Sequence, residues 1–372
     1  MNTSPEPGAK KKTAFVIVLL MAPLVLLVGL ELAGRAVLSL LYGMPGKTYG
    51  IYQADPVLGH FPAPNSYNHL ASMNDWGFRN AEDVITPKPE GAERVITYGG
   101  STTFCPKLTA EACWPRQLEK RMREGDGNAG HQVLNGGVVV WSLSHVLERA
   151  KRDIPKLRPD KVIIYSGFNE VGNSHYLSLA GMPIDRLVAE GRYGVAARNY
   201  PASDWLALNS VLFKIARGYA VSGYRHFLPP ENVTYPKADA PTAAGKGSGP
   251  SANEIVSSTP PDPAMLKNYL VVLERLIQLV RRNGAEPVML IQSGNRLKMG
   301  MEISRIGAEM ACRMGVRVLD SREAVASYQG SKDDLYGAHS SIHYSAKGGA
   351  VLADYLYDRL YKRKGFSICS EP

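Results

Sequence analysis

The chain has 372 residues, of which 45% are hydrophobic and 21% are charged, and its formal net charge is +9. This length allows one large domain, or one domain with an insertion, after an N-terminal targeting segment. Lysine and arginine are scattered, apart from a cluster at Lys10, Lys11 and Lys12. The sequence contains neither a zinc-finger spacing nor an RNA-binding aromatic signature, so it does not predict a nucleic-acid partner.

The first predicted element is a membrane anchor. Residues 13–30 carry no charge, and as a helix they would cover about 27 Å, close to the thickness of a hydrocarbon core. The apolar pattern continues to Leu41, and Glu31 and Arg35 are spaced to pair on one helix face. A cleaved signal peptide is the alternative, but charged and then apolar residues follow where its cleavage site would fall. The lysines before the helix predict a cytoplasmic N-terminus and export of the chain beyond about residue 40.

The exported part is predicted to be an α/β domain with a flavodoxin-like, doubly wound parallel sheet. Residues 44–92, after the anchor segment 1–43, are rich in Pro, Gly, Asn and Asp and are predicted to be irregular. Short apolar strands then alternate with helices through 93–171 and 264–372, which predicts a parallel sheet covered on both faces. The predicted strands are residues 95–98, 133–134, 161–165, 287–291 and 316–319, and the predicted helices are residues 114–123, 142–156, 266–282 and 346–362.

Residues 172–263 interrupt this alternation and are predicted to be an insertion. Its last part, residues 237–263, is a loop rich in Pro, Gly, Ala and Ser, a composition typical of flexible segments. A helical cap over the site is one interpretation of the remainder.

Four segments fall at strand ends or directly before the last helix, where doubly wound sheets bind ligands. They surround Ser101, Gly137, Asn169 and His343. A serine hydroxyl needs a base within hydrogen-bond reach, and histidine has a suitable pKa. We therefore expect Ser101 to act as nucleophile and His343 as base. The backbone N–H of Ser101, an N–H in the loop after Asn135 such as that of Gly137, and the Asn169 amide would bind the oxyanion.

These segments resemble the four sequence blocks of the SGNH/GDSL hydrolases, which centre on a Ser, a Gly, an Asn and a His. Residues 99–102 read GGST where many members read GDSx, and residues 167–170 read GFNE where they read GxND. Residues 55–59 and 74–80 resemble the corresponding segments of a membrane-anchored bacterial subgroup. The resemblance implies a serine esterase on the inner membrane, with its main domain in the periplasm.

Two positions depart from the family pattern. The final block usually reads DxxH, whereas position 340 is Ser. Asp333, Asp334 or Ser340 would then have to orient His343, or a backbone carbonyl would do so. The family's oxyanion glycine would fall at Val140, where the backbone N–H is retained in a bulkier loop.

The four cysteines make no metal-binding pattern. Cys105 and Cys113 flank the start of one predicted helix and could form a disulfide in an oxidising compartment, with independent thiols as the alternative. Metal-ligand spacings and nucleotide-binding motifs are missing from the sequence, so neither a metal nor a cofactor is predicted.

The function predicted first is hydrolysis of O-acyl groups on envelope glycans or lipids. Two alternatives stay open. The domain could be a degenerate SGNH module that binds glycan or serves as an accessory subunit of another membrane protein. It could also be an O-acyltransferase that uses the same residues to pass an acyl group to a polysaccharide.

Overall fold

The computed structural model describes residues 7–170 and 263–370, together with 206, 210–213, 216 and 261. Within those ranges, residues 45, 56–57, 69–70, 107, 295–297, 338–339, 341 and 364 are not described. Most of the predicted insertion, 172–263, therefore lies outside the described residues, as does the predicted loop 237–263 except for its last few positions.

The described chain begins with one long helix, α1 (Pro7–Leu41), of 35 residues. Its segment Phe15–Leu41 has a mean hydropathy of 2.7, and none of its most apolar window is buried. By length and composition this helix could cross a membrane, and its lack of burial distinguishes it from the core helix of a soluble domain. The predicted pair is present, with an Arg35 guanidinium nitrogen 2.7 Å from a Glu31 carboxylate oxygen.

Four short strands follow in the region that the composition predicts to be irregular. They are β1 (Thr48–Tyr49), β2 (Tyr52–Asp55), β3 (Gly59–Pro62) and β4 (Ser66–Tyr67). β1 pairs with β4 in parallel, and β2 pairs with β3 in antiparallel orientation. The prediction of irregular structure was wrong here, because strands of two to four residues are too short to carry a periodic apolar pattern.

Five longer strands form the central sheet. They are β5 (Arg94–Gly99), β6 (Gln132–Gly137), β7 (Lys161–Tyr165), β8 (Glu286–Ile291) and β9 (Arg317–Asp320). All neighbours are parallel, in the order β6-β5-β7-β8-β9. The strand order reverses at β5, which places a ligand crevice at the carboxyl ends of β5, β6 and β7. The predicted flavodoxin-like, doubly wound sheet is confirmed.

Helices cover both faces of this sheet. They are α2 (Ser101–Phe104), α3 (Trp114–Asp126), α4 (Leu143–Leu157), α5 (Pro263–Arg282), α6 (Lys298–Arg313), α7 (Ser321–Ser327) and α8 (Ala346–Tyr357), the last continued by a π-helical turn at Asp358–Lys362. Short 3-10 turns lie at Lys332–Leu335 and Ile368–Ser370. The sequence did not predict α2, α6 or α7.

Alternate strand residues supply two separate cores, because successive side chains of a strand point to opposite faces. Ile96 of β5 packs with α4 and α5 on one face. Its neighbour Val95 packs with α3 and α8 on the other face. Both side chains are fully buried, so the sheet is a rigid platform for the loops at its carboxyl edge.

The prediction of a Cys105–Cys113 disulfide was wrong. Cys312 of α6 is bonded instead to Cys369, 57 residues later in the chain. Cys105 and Cys113 are buried free thiols. The Cys105 thiol donates to the Thr103 carbonyl oxygen at 3.3 Å, and the Arg79 guanidinium lies against Cys113 Sγ. The observed pair depends on the return of the C-terminal segment to α6 and β9, which cysteine spacing does not reveal.

Candidate active site

Ser101 is the first residue of α2 and follows strand β5, with Gly100 between them. The chain passes from strand to helix through Gly100, where an added Cβ would lie 2.2 Å from Asn169 Nδ2. Only glycine therefore lets the Asn169 amide lie this close to the turn. Because Ser101 begins a helix, its backbone N–H has no acceptor within that helix and can bind an anionic oxygen.

His343 is the partner of Ser101, although the two residues are 242 positions apart. His343 Nε2 lies 2.8 Å from Ser101 Oγ. The histidine backbone is fixed by its carbonyl oxygen, which accepts from Gly337 N–H at 2.8 Å. The predicted nucleophile and base are thus brought into hydrogen-bond contact, with a geometry that allows the hydroxyl proton to pass to the imidazole.

Ser340 occupies the position at the other ring nitrogen. Its Oγ lies 3.0 Å from His343 Nδ1 and also accepts from His343 N–H at 2.9 Å. When Nε2 accepts the Ser101 proton, Nδ1 carries a hydrogen, and Ser340 Oγ is its acceptor. Asp333 and Asp334 are exposed on the 3-10 turn, where Lys347 Nζ lies 3.3 Å from Asp334. Of the three residues predicted to orient His343, Ser340 is the one whose contact with Nδ1 the structure describes.

Asn169 follows β7 and lies beside the nucleophile. Its Nδ2 donates to the Trp141 carbonyl oxygen at 2.8 Å. An amide nitrogen carries two hydrogens, so this bond orients the side chain and leaves one hydrogen for a ligand. The structure therefore brings Asn169 together with Ser101 and His343, as the sequence predicts.

Gly137 does not serve as an oxyanion donor, and that prediction was wrong. Its N–H donates to Asn135 Oδ1 at 3.0 Å. Its small size has another use, because an added Cβ would lie 2.3 Å from the backbone nitrogen of Phe104. Gly137 thus lets β6 pack closely against the end of α2.

Val140 keeps the backbone shape of a glycine. Trp141 N–H donates to the Val138 carbonyl oxygen at 3.3 Å, which closes a β-turn over residues 138–141. Val140 is the third residue of that turn and has a φ of 61°. A positive φ at this position normally selects glycine. The turn that the family builds with glycine is therefore held here by a β-branched residue in a strained conformation.

Two polar residues that sequence reasoning did not single out as part of the site also support it. Glu170 Oε1 accepts from Leu143 N–H at 2.6 Å, at the start of α4, and Ser166 Oγ lies 3.4 Å away. Burial raises the pKa of Glu170 to about 7, and these two hydrogen bonds act in the opposite direction. Gln292, directly after β8, accepts from Phe168 N–H at 2.8 Å and donates to Thr102 Oγ1 at 3.1 Å.

A small cleft opens beside Ser101, bordered by Trp141, Phe168, Asn169 and Gln292. Its walls combine aromatic surface with amide groups, a mixture suited to a small acyl group whose carbonyl oxygen needs donors. Among the described residues, no group of three or more His, Cys, Asp or Glu side chains could hold a metal ion.

The sequence matches no protein-family model, and comparison with curated proteins finds no match. Solved structures similar to the chain include a lipolytic protein of the G-D-S-L family from Desulfitobacterium hafniense, at 12% identity over 72% of this chain and 99% of that chain, with a TM-score of 0.40. Axe2, an acetylxylan esterase from Geobacillus stearothermophilus, is 14% identical over 75% of this chain and 97% of its own, with a TM-score of 0.42. A member of the lipolytic protein G-D-S-L family from Veillonella parvula is 10% identical over 73% of this chain and 99% of its own, with a TM-score of 0.38.

Proposed function

We propose that the chain is a membrane-anchored serine esterase or acyl hydrolase of the SGNH/GDSL type, with Ser101 as nucleophile and His343 as base. The observation that carries the proposal is the 2.8 Å contact between Ser101 Oγ and His343 Nε2. The Asn169 amide beside Gly100 supports it, because it puts a donor where an oxyanion would form.

The reaction begins when Ser101 Oγ attacks the ester carbonyl carbon and its proton moves to His343 Nε2. The resulting oxyanion accepts hydrogen bonds from Ser101 N–H, Val140 N–H and the Asn169 amide. Collapse breaks the bond to the alcohol oxygen, which takes the proton from Nε2 and leaves an acyl-serine. Water then attacks with His343 as base, which releases the carboxylic acid and restores Ser101.

Ser340 has a positioning role in this scheme. It accepts from Nδ1 and so sets the tautomer and the ring orientation. A hydroxyl carries no negative charge, so it stabilises the imidazolium less than the aspartate of a full triad would. We infer a Ser–His pair supported by a neutral third residue.

The proposed substrates are O-acyl groups of envelope glycans or lipids. α1 would anchor the chain in the inner membrane with its N-terminus in the cytoplasm, as the lysines before it predict. The Cys312–Cys369 disulfide supports an extracytoplasmic location for the main domain, because such bonds persist in oxidising compartments.

The test is Ser101→Ala in the detergent-purified full-length protein. We expect loss of fluorophosphonate labelling and a fall of about 1,000-fold or more in p-nitrophenyl acetate hydrolysis, because the nucleophile is removed. Ser327→Ala is the matched control, since Ser327 Oγ donates to the Ala324 carbonyl oxygen within α7. Equal labelling of the wild type and Ser101→Ala would refute the proposal.

The neutral Ser340 and the strained Val140 favour a second candidate, a degenerate module that binds glycan or a membrane protein without turnover. It predicts that Ser101→Ala and His343→Ala leave the cellular phenotype intact and that a stoichiometric partner co-purifies in mild detergent. Acyl transfer to a polysaccharide uses the same residues and is distinguished by its product, an acylated acceptor rather than a free acid.

A further inference from the structure

The end of α1 packs directly on the folded domain. Tyr42, the residue after the helix, lies with its ring centroid 5.8 Å from that of Tyr49 and 5.2 Å from that of Tyr67. Leu38 of the helix is buried in the same cluster. β1 and β4 thus pack against the helix end, and β1 begins seven residues after Leu41. Tyrosines are enriched at the level where a spanning helix leaves the hydrocarbon.

The loops that follow β1 and β2 contact the segments that follow β5 and β6. Ile51, two residues after Tyr49, packs against Phe104, the last residue of α2. Leu58 packs against Val138 and Trp141. Both belong to the β-turn 138–141, which carries the proposed oxyanion donor Val140 N–H and is called the oxyanion turn below. Ile51 thus links the segment after β1 to the helix that begins with Ser101.

A second segment contacts the helix, because the described residues 210–213 lie on α1. Val211 N–H and Leu212 N–H donate to the Glu31 carboxylate at 2.8 and 3.0 Å. Glu31 directly follows the uncharged stretch 13–30, so this contact lies at the end of that stretch nearer to the sheet domain.

Between Glu31 and Leu41, the face of α1 that points away from these contacts is not covered by other described residues. Leu32 is 61% exposed and Leu40 is 81% exposed. The apolar segment of 27 residues would measure about 40 Å, longer than a hydrocarbon core of about 30 Å, so a tilted helix would keep this face against lipid. The domain would then lie at the bilayer surface, with its catalytic edge close by.

Val140 exposes apolar surface at that edge. Its side chain is 61% exposed, although its φ of 61° strains a β-branched residue. Outside α1, the other exposed large hydrophobic side chains in the described part of the chain are Ile85, at 43%, and Leu206, at 37%. A strained and exposed valine on the oxyanion turn indicates a selected contact, because glycine would fit the backbone without strain.

We propose that the Ser101 site acts on an ester that carries a lipid chain and stays seated in the bilayer during the reaction, with the Val140 side chain in contact with that chain. This inference rests on the proposed esterase function. It narrows the proposed substrates from acylated envelope molecules in general to acylated molecules in the same membrane as the enzyme.

The test uses the full-length protein in phosphatidylcholine vesicles and two esters of the same fluorogenic alcohol. One is the water-soluble acetyl ester, and the other is a hexadecanoyl ester that partitions into the vesicles. The quantity measured is the ratio of the two values of kcat/KM, membrane ester over soluble ester. We expect Val140→Gly to lower this ratio about five- to tenfold, the effect of removing one aliphatic contact. Ile85→Gly is the matched control, since Ile85 packs at the amino edge of the sheet beside Arg94 and Gln132, and it should leave the ratio unchanged.

Two results would overturn the inference while the esterase function stands. The first is a wild type that hydrolyses the acetyl ester but not the membrane ester. The second is an equal change of both rates in Val140→Gly, which would confine this residue to shaping the oxyanion turn. Absence of turnover on both esters, together with absence of Ser101 labelling, would instead refute the esterase function itself.

Discussion

At the scale of single residues, Ser340 decides what kind of catalyst this site can be. Its Oγ contacts both Nδ1 and the backbone N–H of His343, at 3.0 and 2.9 Å. The serine therefore orients the ring through these contacts, but it supplies no charge when the imidazole becomes positive. Orientation and charge stabilisation, which one aspartate provides in a full triad, are separated here.

Ser340→Asp tests this separation. A carboxylate at Nδ1 would stabilise the imidazolium, so we expect the acid limb of the pH profile of kcat/KM to move upward by about one pH unit. We also expect a higher plateau rate on p-nitrophenyl acetate. Ser340→Asn, which adds a polar group of similar size without charge, is the control. An acid limb at the same pH in all three proteins would show that Ser340 does not act through His343.

At the scale of elements, the N-terminus of α4 is what holds the oxyanion turn in place. Ser142 and His145 form a capping box, and the His145 ring stacks on Trp141 with centroids 5.7 Å apart. Glu170 adds a buried carboxylate that accepts from Leu143 N–H. The end of β7 is thereby tied to the start of α4, and the loop that carries Asn169 is held to the loop before α4.

Glu170→Gln should change how stability depends on pH. The folded-state pKa of Glu170 is about 7, above its ordinary value of 4.5. Protonated Glu170 therefore stabilises the fold, and this contribution is complete below pH 4.5 and is lost as the pH rises through 7. The loss is on the order of 3 kcal/mol. Urea unfolding at pH 5 and pH 8, followed by tryptophan fluorescence, should show it in the wild type and not in Glu170→Gln.

The control for this measurement is Glu124→Gln, because the Glu124 side chain is 62% exposed on α3. That variant should retain the pH dependence of the wild type. A wild type whose stability is equal at both pH values would contradict the role assigned to the Glu170 carboxyl.

At the scale of the whole molecule, α1 and the catalytic domain form one body in the described part of the chain. The Tyr42 cluster and the Glu31 contacts join the helix to β1, β4 and residues 210–213. If α1 spans a membrane, as we propose, this packing orients the domain relative to the membrane, whereas a flexible linker would only limit its distance. Orientation is what a site needs if its substrate lies in the same bilayer.

The lysines before α1 predict on which side of the membrane the main domain lies. A reporter enzyme that folds only in an oxidising compartment, fused after Pro372, should be active. Replacing Lys10, Lys11 and Lys12 by Gln and adding three lysines after Tyr42 should reduce that activity strongly, because flanking positive charge selects the cytoplasmic side. An inactive reporter on the unchanged chain would place the domain in the cytoplasm and remove the basis for a periplasmic substrate.

The sequence by itself determined the features whose signal is local. The uncharged apolar stretch predicted the long helix, and strand–helix alternation predicted the parallel sheet, because each pattern depends on neighbouring residues. Ser101, Asn169 and His343 could be chosen because parallel strands bring their carboxyl ends to one edge. Val140 could be assigned to the oxyanion turn only through a family resemblance, and its positive φ could not be read from its side chain.

Only the tertiary structure decided the features that depend on distant segments meeting. They are the contact of Ser340 with His343 Nδ1, the hydrogen bond from Gly137 N–H to Asn135, the Cys312–Cys369 disulfide, and the packing of β1 and β4 against the end of α1. Each depends on which of several polar or sulfur-bearing neighbours comes within bonding distance. That choice is made by the packing of the whole chain, and residue types in sequence order do not carry it.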